Sequence, residues 1–148
     1  MSDPQGTLVP EGGTRVTVHV DGGSRGNPGP AAVAAVVTGD GGEVLREDAE
    51  YIGEATNNVA EYRAVQLGLR LARELSADAV EIVNDSELVA RQISGQYKVK
   101  NAGLKPLFLE TMQALREFPA WSIRNVRREH NERADELLNL ELDRVLGA

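Results

Sequence analysis

RVTVHVDGGSRGNPGPAAVAAVVTGDGGEVLREDAEYI, residues 15–52, is the stretch that decides the fold. It opens in strict alternation. Val16, Val18 and Val20 fall on one side of an extended chain and Thr17, His19 and Asp21 on the other, which predicts a strand over Arg15–Asp21. GGSRGNPGP (22–30) is dense in chain breakers and reads as a turn. AAVAAVVTG (31–39) reads as a buried strand, Asp40-Gly41-Gly42 as a hairpin turn, and Glu43–Ile52 as a third strand. Strands joined this directly must run antiparallel.

After this meander the period changes. A helix is predicted over Thr56–Leu75, a short strand over AVEIVN (79–84), and a helix over Ser86–Ile93. A loop runs through Gly103, and a helix then starts near Pro106, a residue favoured in the first turn, and reaches Glu117 before Pro119. WSIRNV (121–126) is the last strand, and Asn131 is read as the cap of a final helix to Leu146. The later strands return through helical crossovers and can pair in parallel. The expectation is one mixed α/β domain over residues 15–148, preceded by a polar, disordered tail over 1–14.

Composition narrows the function classes. A chain of 148 residues with 41% hydrophobic and 26% charged residues is an ordinary soluble domain. It has no apolar run of ~18 residues and no signal pattern, so no membrane association is expected. The absence of cysteine excludes disulfides and thiolate metal sites and fits a cytoplasmic protein. The net charge of -7 speaks against a nucleic-acid partner, yet all three lysines (Lys98, Lys100, Lys105) and Arg124, Arg127 and Arg128 are clustered. Those clusters read either as solvated patches or as contacts to phosphate. An acidic total is also what a site built from carboxylates produces.

Four acids stand at element ends. Asp21 closes the first predicted strand, and Asp85 follows AVEIVN at the edge where open α/β sheets place ligands. Glu61 heads the helical stripe Val65, Gly68, Ala72, and Asp135 heads Leu138, Leu142, Val145. Each has an ordinary alternative: Asp85 as a helix cap, Glu61 and Asp135 as first-turn acids favoured by the helix dipole, Asp21 as a turn residue. If the four meet, their repulsion calls for divalent cations, and oxygen-only ligands suit magnesium or manganese.

Read with their neighbours, these positions resemble the ribonuclease H type I family. The likeness is carried by VDGGSRGNPGPAA (20–32), TNNVAEYRAV (56–65), VNDSELVARQI (83–93) and HNERADEL (130–137), in the family's order. The resemblance implies a ribonuclease H-like α/β fold, a five-stranded mixed sheet with helices on both faces. It implies an endonuclease that hydrolyses the RNA strand of RNA–DNA hybrids with two Mg2+ ions, Mn2+ being able to substitute, and leaves 5′-phosphate and 3′-hydroxyl ends. Asp21, Glu61, Asp85 and Asp135 match the four catalytic, metal-binding acids. Asn57 and Asn58 match the pair that tests the hybrid's minor groove for 2′-hydroxyls, although Thr56 or Asn57 could instead cap the helix. Ser24, Arg25, Gly26 and Asn27 match the loop that approaches the RNA backbone. The chain is expected to act as a monomer.

Two departures stand out. In place of the long basic protrusion that many members carry, this chain has only GQYKVKNAGLK (95–105), whose lysines are candidate substitutes. His130, five residues before Asp135, is a candidate stand-in for a catalytic loop histidine that other members place further upstream. His19 reads as a packed strand residue. A non-catalytic module would lack one of the acids, a DNA-directed relative would need no 2′-hydroxyl reader, and a nucleotide loop at GGSRGNPG lacks the lysine and the following helix.

Overall fold

The computed structural model describes residues 13–147. The elements are β1 (Arg15–Ser24), β2 (Gly29–Thr38), β3 (Val44–Ala55), α1 (Asn57–Glu74), β4 (Ala79–Asn84), α2 (Glu87–Ile93), α3 (Lys105–Leu115), β5 (Ala120–Asn125), a single 3-10 turn (Arg128–His130) and α4 (Glu132–Leu146). The five strands lie in the order β3-β2-β1-β4-β5. β1, β2 and β3 pair antiparallel, while β4 joins β1, and β5 joins β4, in parallel. The mixed sheet is as the sequence predicts. Most of the expected tail, residues 1–12, lies outside the described residues.

Alternation along the strands sets the two layers. Val16, Val18 and Val20 of β1 and Ala31, Val33, Ala35 and Val37 of β2 pack with Tyr62, Val65 and Leu69 of α1 in the main core. The intervening Ala32 and Ala34 face the other way and pack with Leu138 and Leu142 of α4. Helices therefore cover both faces. The stripe behind Glu61 is buried as expected, but the one behind Asp135 ends at Leu142, because Val145 is exposed near the end of the helix. Tyr62 is wholly buried, and its hydroxyl donates to Gln92 Oε1 at 2.6 Å, which satisfies it inside the core.

One strand end lies further along the chain than the alternation suggests, and two helix starts are held otherwise than their residue types suggest, each for a physical reason. β1 does not end at Asp21: pairing with β2 continues through Ser24 opposite Ala31, so Asp21 lies within the strand opposite Ala34 and only Arg25–Pro28 turn. Gly22 looks like a breaker but serves packing, since a Cβ there would lie 2.1 Å from the carbonyl oxygen of Ala60. Asp85 does not cap α2; Ser86 does, its Oγ accepting from the Val89 amide at 3.3 Å. Asn131 occupies the cap position of α4, but its side chain makes no cap hydrogen bond. Its Nδ2 instead donates to the carbonyl of Val20 at 2.8 Å.

Because the atoms facing Gly22 are α1 backbone, they cannot swing aside. Gly22→Ala is expected to lower stability by about 2 kcal/mol or more, in the overpacking range, read as a shifted urea midpoint. An unchanged midpoint would contradict this account of the β1–α1 contact.

Candidate active site

Gly22 lets α1 approach β1 at the level of Ala60, which places Asp21 and Glu61, each next in sequence to a contacting residue, on elements in direct contact. Asp85 leaves the end of β4, the parallel neighbour of β1. The Asn131–Val20 hydrogen bond fastens the start of α4 to β1 one residue from Asp21, and Asp135 follows one turn later. Two close approaches thus deliver four carboxylates from four elements. Asp21, Glu61, Asp85 and Asp135 all line one cleft of about 410 Å³, together with Ser24, Arg25, Asn57 and Arg128.

The electrostatics are those of crowded acids. Burial, the charge of Asp85 and the nearby Asp135 carboxyl push Asp21 up to about 8, against a small opposing effect of Arg128. Burial raises Glu61 to about 6, with the Ser86 hydroxyl acting the other way. Asp85 is raised by burial despite Arg128, whose Nε stands 3.7 Å from Asp85 Oδ2. At that distance the guanidinium screens charge without making a hydrogen bond. Glu61 Oε2 and Asp85 Oδ2 are buried with no hydrogen-bond partner. Among the described residues, no group of three or more His, Cys, Asp or Glu side chains is gathered tightly enough to ligate one ion. The four acids line the cleft with lone pairs to spare, a donor set of oxygens alone. Such a set fits a hard divalent cation of the magnesium class.

The β1–β2 loop forms one wall. Asn57 Oδ1 accepts from the Ser24 amide at 2.8 Å and from Ser24 Oγ at 3.0 Å, and the Asn57 amide donates to Asn27 Oδ1 at 3.1 Å. Thr56 supplies the α1 cap, its Oγ1 accepting from the Val59 amide, which leaves the Asn57 side chain free for this cross-link. Gly26 turns the loop with φ +91°, where side chains are disfavoured. Asn58, half-buried beside Asn57, does not line the cleft.

A family model described as reverse transcriptase-like matches residues 19–140. Ribonuclease HI of Halobacterium salinarum is 43% identical over 143 residues, which cover 96% of this chain and 71% of that protein. The chain belongs to the ribonuclease H family. Among solved ribonuclease H structures, the N-terminal domain of Rv2228c from Mycobacterium tuberculosis superimposes with a TM-score of 0.87 at 41% identity, covering 90% of this chain and 97% of that one. LC11-RNase H1, solved in complex with an RNA/DNA hybrid, gives 0.84 at 42% identity, covering 88% and 99%. The present chain spans only 36% of the full bifunctional protein Rv2228c.

Other residues singled out in the sequence fall elsewhere on this ribonuclease H. Lys98, Lys100 and Lys105 are exposed between α2 and the first turn of α3, away from the cleft lining. His130 lies in the 3-10 turn and lines a separate cavity of about 180 Å³ with His19. His19 is half-buried, within 3.4 Å of Thr38 Oγ1, and burial lowers its pKa. Two residues escaped the sequence reading as parts of the site, Arg128 and Asn131. Arg128 was one of a cluster of three arginines, and nothing in the sequence separates the one that faces Asp85. Asn131 carries the composition of a cap, which conceals its bond to β1.

A raised carboxyl couples the site to stability. Without divalent cations, folded Asp21 keeps to about pH 8 a proton that the unfolded chain releases near pH ~4. Stability therefore falls as pH rises from about 4 to 8. Asp21→Asn is expected to melt about 4 °C or more above the parent at pH 8 in chelator, with the gap narrowing towards pH ~4. Equal melting at both pH values would contradict the crowding of charge.

Proposed function

We propose that this ribonuclease H is an endonuclease that hydrolyses the RNA strand of RNA–DNA hybrids, using two magnesium ions, with manganese able to substitute, and leaving 5′-phosphate and 3′-hydroxyl products. The supporting observation is the cleft lined by four carboxylates, two of whose buried oxygens lack partners. The binding of a hybrid by LC11-RNase H1 supports the choice of substrate.

In this reading Asp21, Glu61, Asp85 and Asp135 hold the metal. When bound, the ions make water nucleophilic at neutral pH and relieve negative charge on the leaving 3′ oxygen. The protein's own part is preorganisation. Partial burial leaves Asp21, Glu61 and Asp85 desolvated and poorly compensated, so a cation meets little competition from protein donors. Loading the site requires Asp21 to give up its proton, which links activity to alkaline pH. Arg128, exposed above Asp85, offers a guanidinium to a backbone phosphate near the acids.

Selection of RNA falls to Asn57 and Asn58. Ser24 already occupies Asn57 Oδ1, so Asn57 has its Nδ2 left to donate to a 2′-hydroxyl oxygen, while Asn58 can both donate and accept. Ser24, Arg25, Gly26 and Asn27 then border the RNA backbone, and Lys98, Lys100 and Lys105 meet phosphates further along the duplex.

Asp85→Asn is expected to lower the cleavage rate roughly a thousandfold or more with magnesium on a labelled hybrid, while the folded state persists by circular dichroism. Full activity would contradict the assignment. Replacing Lys98, Lys100 and Lys105 by Gln should raise KM at near-physiological salt and flatten the salt dependence by up to about three unit slopes, with kcat nearly constant. An unchanged KM would remove the lysines from the interface. The decisive comparison presents one sequence as hybrid, duplex RNA and duplex DNA, with and without magnesium. The reading requires metal-dependent cutting of the hybrid's RNA strand and none of duplex DNA.

A further inference from the structure

Arg25 opens the β1–β2 loop and lines the acid cleft, yet its guanidinium is already engaged. Nη2 lies 2.7 Å from Asp143 Oδ1 on α4, with longer approaches of 3.5 Å to the carbonyl and Oδ1 of Asn139. Asn139 in turn donates from Nδ2 to the carbonyl of Asp135 at 3.0 Å. Asp143 does not line the cleft itself. The backbone beneath Arg25 is also fixed, because Ser24 is bound to Asn57 and Asn27 accepts from the Asn57 amide.

We propose that Asp143 is a positioning residue for substrate binding: it grips one edge of Arg25 so that the remaining guanidinium N–H groups face a backbone phosphate of the nucleic acid in the cleft. The inference rests on the hybrid-cleaving reading given above. Both side chains are more than a third exposed, so the pair adds little to stability. Its effect lies in order. A free arginine in a loop samples many rotamers and must lose them on binding, whereas one held by a carboxylate has already lost them. Only one of the five N–H donors is needed by Asp143, which leaves a fork of donors for a phosphate.

The consequence runs against simple electrostatics. Deleting an acid beside a polyanion site would ordinarily tighten binding, because it removes repulsion. If Asp143 positions Arg25, its removal weakens binding instead.

The test is steady-state cleavage of a labelled hybrid with magnesium by the full chain, alongside Asp143→Ala, Asp143→Glu, Arg25→Ala and Glu132→Gln. Glu132 is an exposed acid at the start of the same helix and controls for charge alone. Expected for Asp143→Ala is a KM raised about three- to tenfold with kcat within a factor of about two and an unchanged melting temperature. Asp143→Glu should recover most of the affinity, and Asp143→Ala should add nothing in an Arg25→Ala background. A KM for Asp143→Ala that is unchanged, or lowered as for Glu132→Gln, overturns the proposal while leaving the hybrid-cleaving reading intact. A parent protein that neither binds nor cuts the hybrid overturns both.

Discussion

Carboxylates repel, and this fold drives four of them into one cleft. Everything distinctive about the molecule follows from that constraint. The cost of burying Asp21 within reach of Asp85 and Asp135 is visible in its raised pKa. Two contacts hold the acids together despite that cost: the approach of α1 to β1 over Gly22, and the bond from Asn131 to the Val20 carbonyl. The first holds the start of α1, which carries Glu61, against β1, and the second fastens the start of α4, whose Asp135 lies close to Asp21. Asp85 needs no special device, since the parallel pairing of β1 with β4, His19 opposite Val83, brings the residue that follows β4 level with Asp21.

The acidic total of the chain is then compatible with the RNA–DNA hybrid substrate proposed for it. A net charge of -7 would repel a polyanion if it were spread evenly. Here part of the acid is confined to the cleft, where cations can neutralise it, and many other acids are tied into surface pairs such as Arg70–Glu50 and Arg133–Glu47. Positive charge is held at the cleft by Arg25 and Arg128, each beside an acid, and beyond it by the lysine segment after α2. The cleft wall formed by the β1–β2 loop is braced on both sides, by Asn57 on α1 and by Asp143 on α4. The wall is therefore held in place from two separate helices.

Much of this was legible in the sequence. The alternation of Val16, Val18 and Val20 marked β1, and the stripes behind Glu61 and Asp135 showed which helix faces look inward. The four acids stood out because each headed or ended such a pattern. What stayed hidden shares one cause: a residue type that fits two roles locally is resolved only by contacts distant in sequence. Gly22 and Gly23 have the composition of a turn, yet they extend β1 by pairing with Val33 and Ala32 of β2. Asn131 looks like a cap and is a tie to β1. Ser86, one residue beyond the acid, takes the capping role that Asp85 could have taken. The grip of Asp143 on Arg25 joins opposite ends of the chain and leaves no local trace. Arg128 differs from Arg124 and Arg127 only in what it faces.

Carboxyl groups crowded in this way are expected to exchange protons for divalent cations. Calorimetric titration of the metal-free protein with manganese at pH ~7, in buffers of different ionisation enthalpy, measures that exchange directly. Saturable binding should come with net release of close to one proton or more, since Asp21 must ionise, and Asp21→Asn should release fewer. Binding with no proton release, or no binding to the parent protein at all, would contradict the account.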